Sequence, residues 1–109
     1  MRSINDIFIP HGSWEIAVNN KTVIVNVSEA WNEEAAIAFS KEFKEKAQIL
    51  VEDKWSILSN VTDWELGSPE CEKHIVALVE WFIANNCIRE CHVHETGALM
   101  EYQLENFTS

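Results

Sequence analysis

Three groups of side chains in this sequence could do chemistry. The first is Asp63-Trp64-Glu65, with Ser68 just beyond it. An exposed indole beside carboxylates suits a partner's anchor or a cationic ligand; its plainer role is a ring folded over the edge of the core. Ser68 precedes Pro69 and Glu70, the pattern of a helix start. Free N–H groups there favour an anion, so Ser68 could accept a phosphate. Glu65, Glu70 and Glu72 oppose that charge, and the plainer role of Ser68 is an N-cap. The second group is Cys87, Cys91, His92 and His94. On a strand, His92 and His94 share one face and Cys91 takes the other, so one metal cannot easily hold both sulfur and imidazole. The two histidines form at most half a site, completed by Glu90 or Glu95. Paired Cys-x-x-Cys spacings are absent, and no metal is expected. The third group is a hydrolase set assembled from Ser28 or Ser59, His94 and Asp63. It lacks a Gly-x-Ser-x-Gly elbow, and only three glycines are present to shape an oxyanion loop.

The elements that must position these groups follow from periodicity. Trp14, Ile16 and Val18 alternate with Ser13, Glu15 and Ala17; Val23, Val25 and Val27 alternate with Thr22, Ile24 and Asn26. Two such strands joined through Asn19-Asn20 make a hairpin. A helix then starts at Ser28 or Asn32, with Glu33 and Glu34 in its first turn and Ala36, Phe39, Phe43, Ala47 and Leu50 as its stripe. Trp55–Val61 reads as a third strand and Trp64–Gly67 as a loop. A second helix carries Cys71, Ile75, Leu78, Val79 and Phe82 inward and stops at Asn85-Asn86. Cys87–His94 reads as a fourth strand, and Met100, Leu104 and Phe107 mark a last short helix.

The order β-β-α-β-α-β-α predicts an α/β domain over residues 12–109, behind an N-terminal extension of residues 1–11 in which Ile7, Phe8 and Ile9 tuck against the body. Helix-length connections make the later strands parallel, giving a mainly parallel four-stranded sheet with one antiparallel edge. Each strand has one apolar and one mixed face: Ser56 and Asn60 oppose Trp55 and Ile57, and Glu90 and His92 oppose Cys91 and Val93. That pattern predicts two layers, with helices on one face only. Ile24, Leu58 and Ile88 then sit on the open face, which suits a contact surface such as a homodimer.

Composition narrows the function. Eighteen acids against eight bases give a net charge of −10 over 109 residues. Such a surface opposes nucleic-acid backbones and anionic membranes, and it steers basic partners. No apolar run approaches the ~20 residues of a membrane span. Met1-Arg2-Ser3-Ile4-Asn5-Asp6 does not read as an export signal, so Cys71, Cys87 and Cys91 are expected as reduced thiols in a cytoplasm.

Gly12-Ser13-Trp14-Glu15-Ile16 with Thr22-Val23-Ile24-Val25, then Trp31-Asn32-Glu33-Glu34, then Trp55-Ser56-Ile57-Leu58, set in this element order, resemble the STAS fold over residues 12–107. That fold is found in sulfate-transporter tails and anti-sigma-factor antagonists. The nearest flavour is the short bacterial proteins similar to the sporulation anti-anti-sigma factor. The resemblance implies a non-enzymatic regulatory module that binds a protein through the turn between third strand and second helix. Regulatory members carry an Asp-Ser-Ser-Gly-like turn there, whose serine is phosphorylated. The matching segment here, Ser59 to Glu70, has no Asp-Ser-Ser, and Ser68 takes the corresponding place at the helix start. The alternative is a small-molecule or lipid carrier without cofactor, its pocket at the carboxyl ends of the parallel strands near Ser28, Asp63, Trp64 and His94. A carrier requires an apolar cavity; an enzyme at the same place requires an ionisable pair in contact.

Overall fold

A computed structural model describes residues 10–94 and 99–103. Strands β1 (Ser13–Asn19), β2 (Thr22–Trp31), β3 (Trp55–Leu66), β4 (Cys87–Val93) and β5 (Leu99–Gln103) form one sheet in the order β1-β2-β3-β4-β5. Helix α1 (Glu33–Ala47) connects β2 to β3, and helix α2 (Pro69–Ala84) connects β3 to β4. The β2–β3 and β3–β4 pairs are parallel; β1–β2 and β4–β5 are antiparallel. Both helices pack on the same face, over Val23, Val25, Val27, Trp55 and Ile57, and the outer face has no helix among the described residues.

Local chemistry sets the boundaries. Asn20 takes a positive φ of 56° in the β1–β2 turn, as paired asparagines allow. Asn32 caps α1, its side chain accepting from the Ala35 N–H at 2.9 Å. Glu33 and Glu34 lie in the first turn and Lys44 and Lys46 in the last, each matching the dipole. Ser68 caps α2 by accepting from the Cys71 N–H at 3.1 Å, with Pro69 at the start. Asn86, at φ 73°, turns the chain into β4.

Three expectations are corrected, and of the two starts expected for α1 one is selected. The sheet is mixed with five strands, not mainly parallel with four. Its fifth strand occupies the place of the expected last helix: Leu99–Gln103 pairs antiparallel with β4. Five residues there satisfy a strand's alternation as well as a helix's spacing, and the backbone edge of β4 decides between them. Leu104 and Phe107, like Ile7, Phe8, Ile9 and Glu95, lie outside the described residues. Next, α1 begins after Asn32, because Ser28 to Trp31 continue β2. Finally, Asp63, Trp64 and Glu65 belong to β3 rather than to a loop, and only Gly67 and Ser68 separate β3 from α2.

Candidate functional site: an apolar cavity with a carboxylate–imidazole pair

Two one-residue irregularities decide which side chains face the helices. Along β3, Trp55, Ile57 and Ser59 are buried on the inner face. The register with β2 then runs from Asn26↔Asn60 to Ser28↔Asp63, so β3 carries one extra residue. The Asn60 side chain accepts from the Thr62 N–H at 3.1 Å and holds that bulge. Simple alternation would turn Asp63 and Glu65 inward; the bulge turns Trp64 inward instead. The Trp64 ring meets Trp31 edge-on at 5.3 Å, while Asp63 and Glu65 are exposed.

The second bulge is at Ile88, which has no partner between Trp55↔Cys87 and Ser56↔Arg89. The Cys87 thiol donates to the Arg89 carbonyl across it. Beyond it, Glu90 pairs with buried Ile57 and His92 with buried Ser59, whereas Cys91 pairs with outward Leu58. In-register residues of parallel strands share a face. The expected inner pair Cys91 and Val93 is therefore outside, and the expected outer pair Glu90 and His92 is inside. Ile88 does not stand in the outer-face row with Ile24 and Leu58.

Between α2 and the β2–β4 part of the sheet lies a cavity of about 420 Å³. Val25, Val27, Ile57 and Val61 floor it; Phe39 and Phe43 of α1 close one side. Ile75, Leu78, Val79, Phe82 and Ile83 of α2 roof it, and Trp64, Ser59, Glu90 and His92 complete it. Ile75, Val79, Ile83, Glu90 and His92 are only part-buried, which sets the mouth between α2 and β4. It occupies the middle and carboxyl halves of the parallel strands, and of Ser28, Asp63, Trp64 and His94, where a carrier pocket is expected, only Trp64 lines it.

Glu90 and His92 touch within this wall. His92 Nε2 and Glu90 Oε1 are 2.5 Å apart, with the side chains 24% and 14% exposed respectively. A carboxylate held this far from water needs such a partner. Ser59 stands beside His92 across the β3–β4 ladder, so a hydroxyl, an imidazole and a carboxylate share one face. This is not the expected Ser–His94–Asp63 set. Glu90 takes the His92 Nε2, and Ser59 lies in the paired part of the β3–β4 ladder. The pair can hold or pass a proton and orient a polar group.

Of the six residues singled out from sequence, only Trp64 reaches the cavity. Its indole N–H is buried without an acceptor among the described residues. Ser28 lies next to Asp63 across β2–β3, and its carbonyl accepts from the Trp31 indole at 3.1 Å. Glu65 is exposed on β3, and Ser68 is the α2 cap. His94 follows β4, its ring 6.1 Å from that of His92 and its Nε2 buried without a partner among the described residues. Among the described residues no three His, Cys, Asp or Glu side chains cluster to hold a metal, and none of their helices is long and apolar enough to cross a membrane. Sequence reasoning missed Glu90, His92 and Ser59 as a group, because it assigned strand faces by unbroken alternation.

No family model matches the chain, and no curated protein matches it.

Proposed function

We propose that this protein binds a small, mainly apolar molecule between α2 and the sheet, as a carrier or ligand-responsive module. The observation that carries the reading is the cavity itself. Protein interiors are close-packed, with few voids larger than a water molecule. A space of about 420 Å³ falls in the range of small-molecule pockets, and its wall is apolar with a few convergent polar groups. Binding of N-phenyl-1-naphthylamine, a neutral apolar fluorophore, tests it. Emission should rise and saturate at one probe per chain, and Val79→Trp, which fills the mouth, should abolish the rise while the melting temperature holds. Equal probe binding by the folded variant overturns the reading.

A second reading keeps the interaction role that the STAS resemblance implies, but moves it to the outer sheet face. Ala17, Ile24, Leu58 and Cys91 are successive register partners across β1 to β4 and form one row. Leu58 is 37% exposed. This row supports a homodimer contact. Ile24→Glu should then reduce the mass seen by light scattering to that of one chain, and an unchanged mass removes the reading.

A further inference from the structure

The cavity wall also points to the head group of its ligand, an inference that rests on the proposed binding role. Among the described residues, Glu90 and His92 are the only ionisable side chains in the wall, and neither lysine nor arginine lines it. Arg89, next in sequence to Glu90, stands in register with Ser56 on the other face. The positive helix ends lie elsewhere: α1 starts at Glu33 and α2 at Pro69, while the wall takes Phe39 and Phe43 from α1 and Ile75 onward from α2. His92 already presents Nε2 to Glu90.

A carboxylate, sulfonate or phosphate entering this space would be stripped of water beside the Glu90 carboxylate, with no lysine or arginine among the described lining residues to receive it and the His92 Nε2 already turned to Glu90. An ammonium meets the opposite situation. It can donate to Glu90 while its chain lies on Val61, Val79 and Ile83, and a charge-assisted hydrogen bond out of water is among the stronger ones. The net charge of −10 draws cations toward the mouth. We propose that the ligand is an apolar molecule bearing a basic nitrogen, with the nitrogen at Glu90 and the apolar body under α2.

The test compares three ligands of one chain length with the full-length protein: octylamine, octan-1-ol and octanoate, each displacing the fluorophore. Octylamine should compete at least tenfold better than octanoate, with octan-1-ol between them. Glu90→Gln should erase the advantage of octylamine over octan-1-ol and leave octan-1-ol unchanged. The series on the unaltered protein decides the matter even if that variant does not fold. Octanoate equal to or better than octylamine overturns the proposal and leaves the binding role intact. Failure of all three to displace a bound probe, with no shift in melting temperature, overturns the proposal alone; absence of probe binding to the unaltered protein overturns both. Octylamine binding that survives Val79→Trp is attraction to the acidic surface and also overturns the proposal.

Discussion

The two helices cover the same sheet in different ways. Helix α1 approaches it through small residues: Ala35, Ala36 and Ala47 are fully buried, and Phe39 and Phe43 fill the space they leave. The ring of Trp31 sits at the centre, 5.4 Å from Trp14, 5.0 Å from Phe39 and 5.3 Å from Trp64. Two of the three glycines serve it. Gly12, at φ 115°, lies under the Trp31 ring, and Gly67 donates to the Trp31 carbonyl at 3.1 Å; a Cβ at either would fall inside van der Waals contact with Trp31. Helix α2 buries only Cys71, Leu78 and Phe82, and its branched Ile75, Val79 and Ile83 stay part-exposed over the cavity. Alanine on a helix brings it close to a sheet; β-branched residues on a sparse stripe hold it away. One half is built to stay closed and the other has room.

Truncation breaks this contrast most directly. Trp31→Ala removes a side chain that is 1% exposed and should cost about 3–5 kcal/mol. Val79→Ala enlarges a space that is already open and should cost under about 1 kcal/mol, because little packing is lost. Urea titrations of both variants measure the difference. Equal losses would mean that α2 packs as tightly as α1.

Enlargement should keep the same ranking. Ala36→Leu forces methylenes into the closed half and should lose about 1–3 kcal/mol. Val79→Leu has the cavity to grow into and should melt within a few degrees of the parent while weakening probe binding. A large loss at Val79 would place the space away from that side chain.

The same contrast explains what could be read from the sequence. The closed half was legible because its determinants are local. Asn20 allows the turn, Asn32 caps α1, and Ala36, Phe39 and Phe43 fall on one stripe. The open half depends on single-residue shifts. A strand's face inverts with every inserted residue, so the bulges after Asn60 and at Ile88 send Trp64, Glu90 and His92 to the side opposite the one alternation assigns. Asn60, a poor strand former with an Asx-type bond to Thr62, was the only local sign of either bulge. The cavity depends on how far α2 stands from β3 and β4, which no periodicity encodes.

The open half is fastened at both ends of α2. Cys71 at its start and Cys87 just beyond its end are 0% and 1% exposed. Burial pushes the Cys87 thiol up to about 12, although its bond to the Arg89 carbonyl and the nearby Glu90 charge also act on it. Burial raises Cys71 as well. An unfolded thiol releases its proton near pH ~8.5. Between there and about 12 the folded Cys87 keeps the proton that the unfolded chain has lost. The unfolded state then binds fewer protons, so stability falls as pH rises through that window, by up to about 1.4 kcal/mol per pH unit, and is unaffected below it. Cys87→Ala should flatten this alkaline limb relative to the parent. Alkylation of native protein should spare Cys71 and Cys87; rapid labelling of Cys71 would mean that α2 lifts as a whole, not only at its middle.

The smallest effect compares the two caps. Asn32 Oδ1 accepts two backbone donors, Ala35 N–H and His11 N–H, each at 2.9 Å, and so ties the entering chain to α1. Ser68 Oγ accepts from the Cys71 N–H at 3.1 Å. Losing a cap costs about 1 kcal/mol, so Ser68→Ala should lose about that much and Asn32→Ala nearly twice as much. Ser68→Asp should be neutral, because aspartate caps as well as serine and its charge suits the helix start. Thermal melts of the three variants rank them. If Ser68→Asp destabilised the protein by as much as Ser68→Ala, the glutamates at 65, 70 and 72 would dominate that helix start, and the same repulsion would bar a phosphate from Ser68. A neutral Ser68→Asp would mean that this helix start accepts a negative charge despite the glutamates around it.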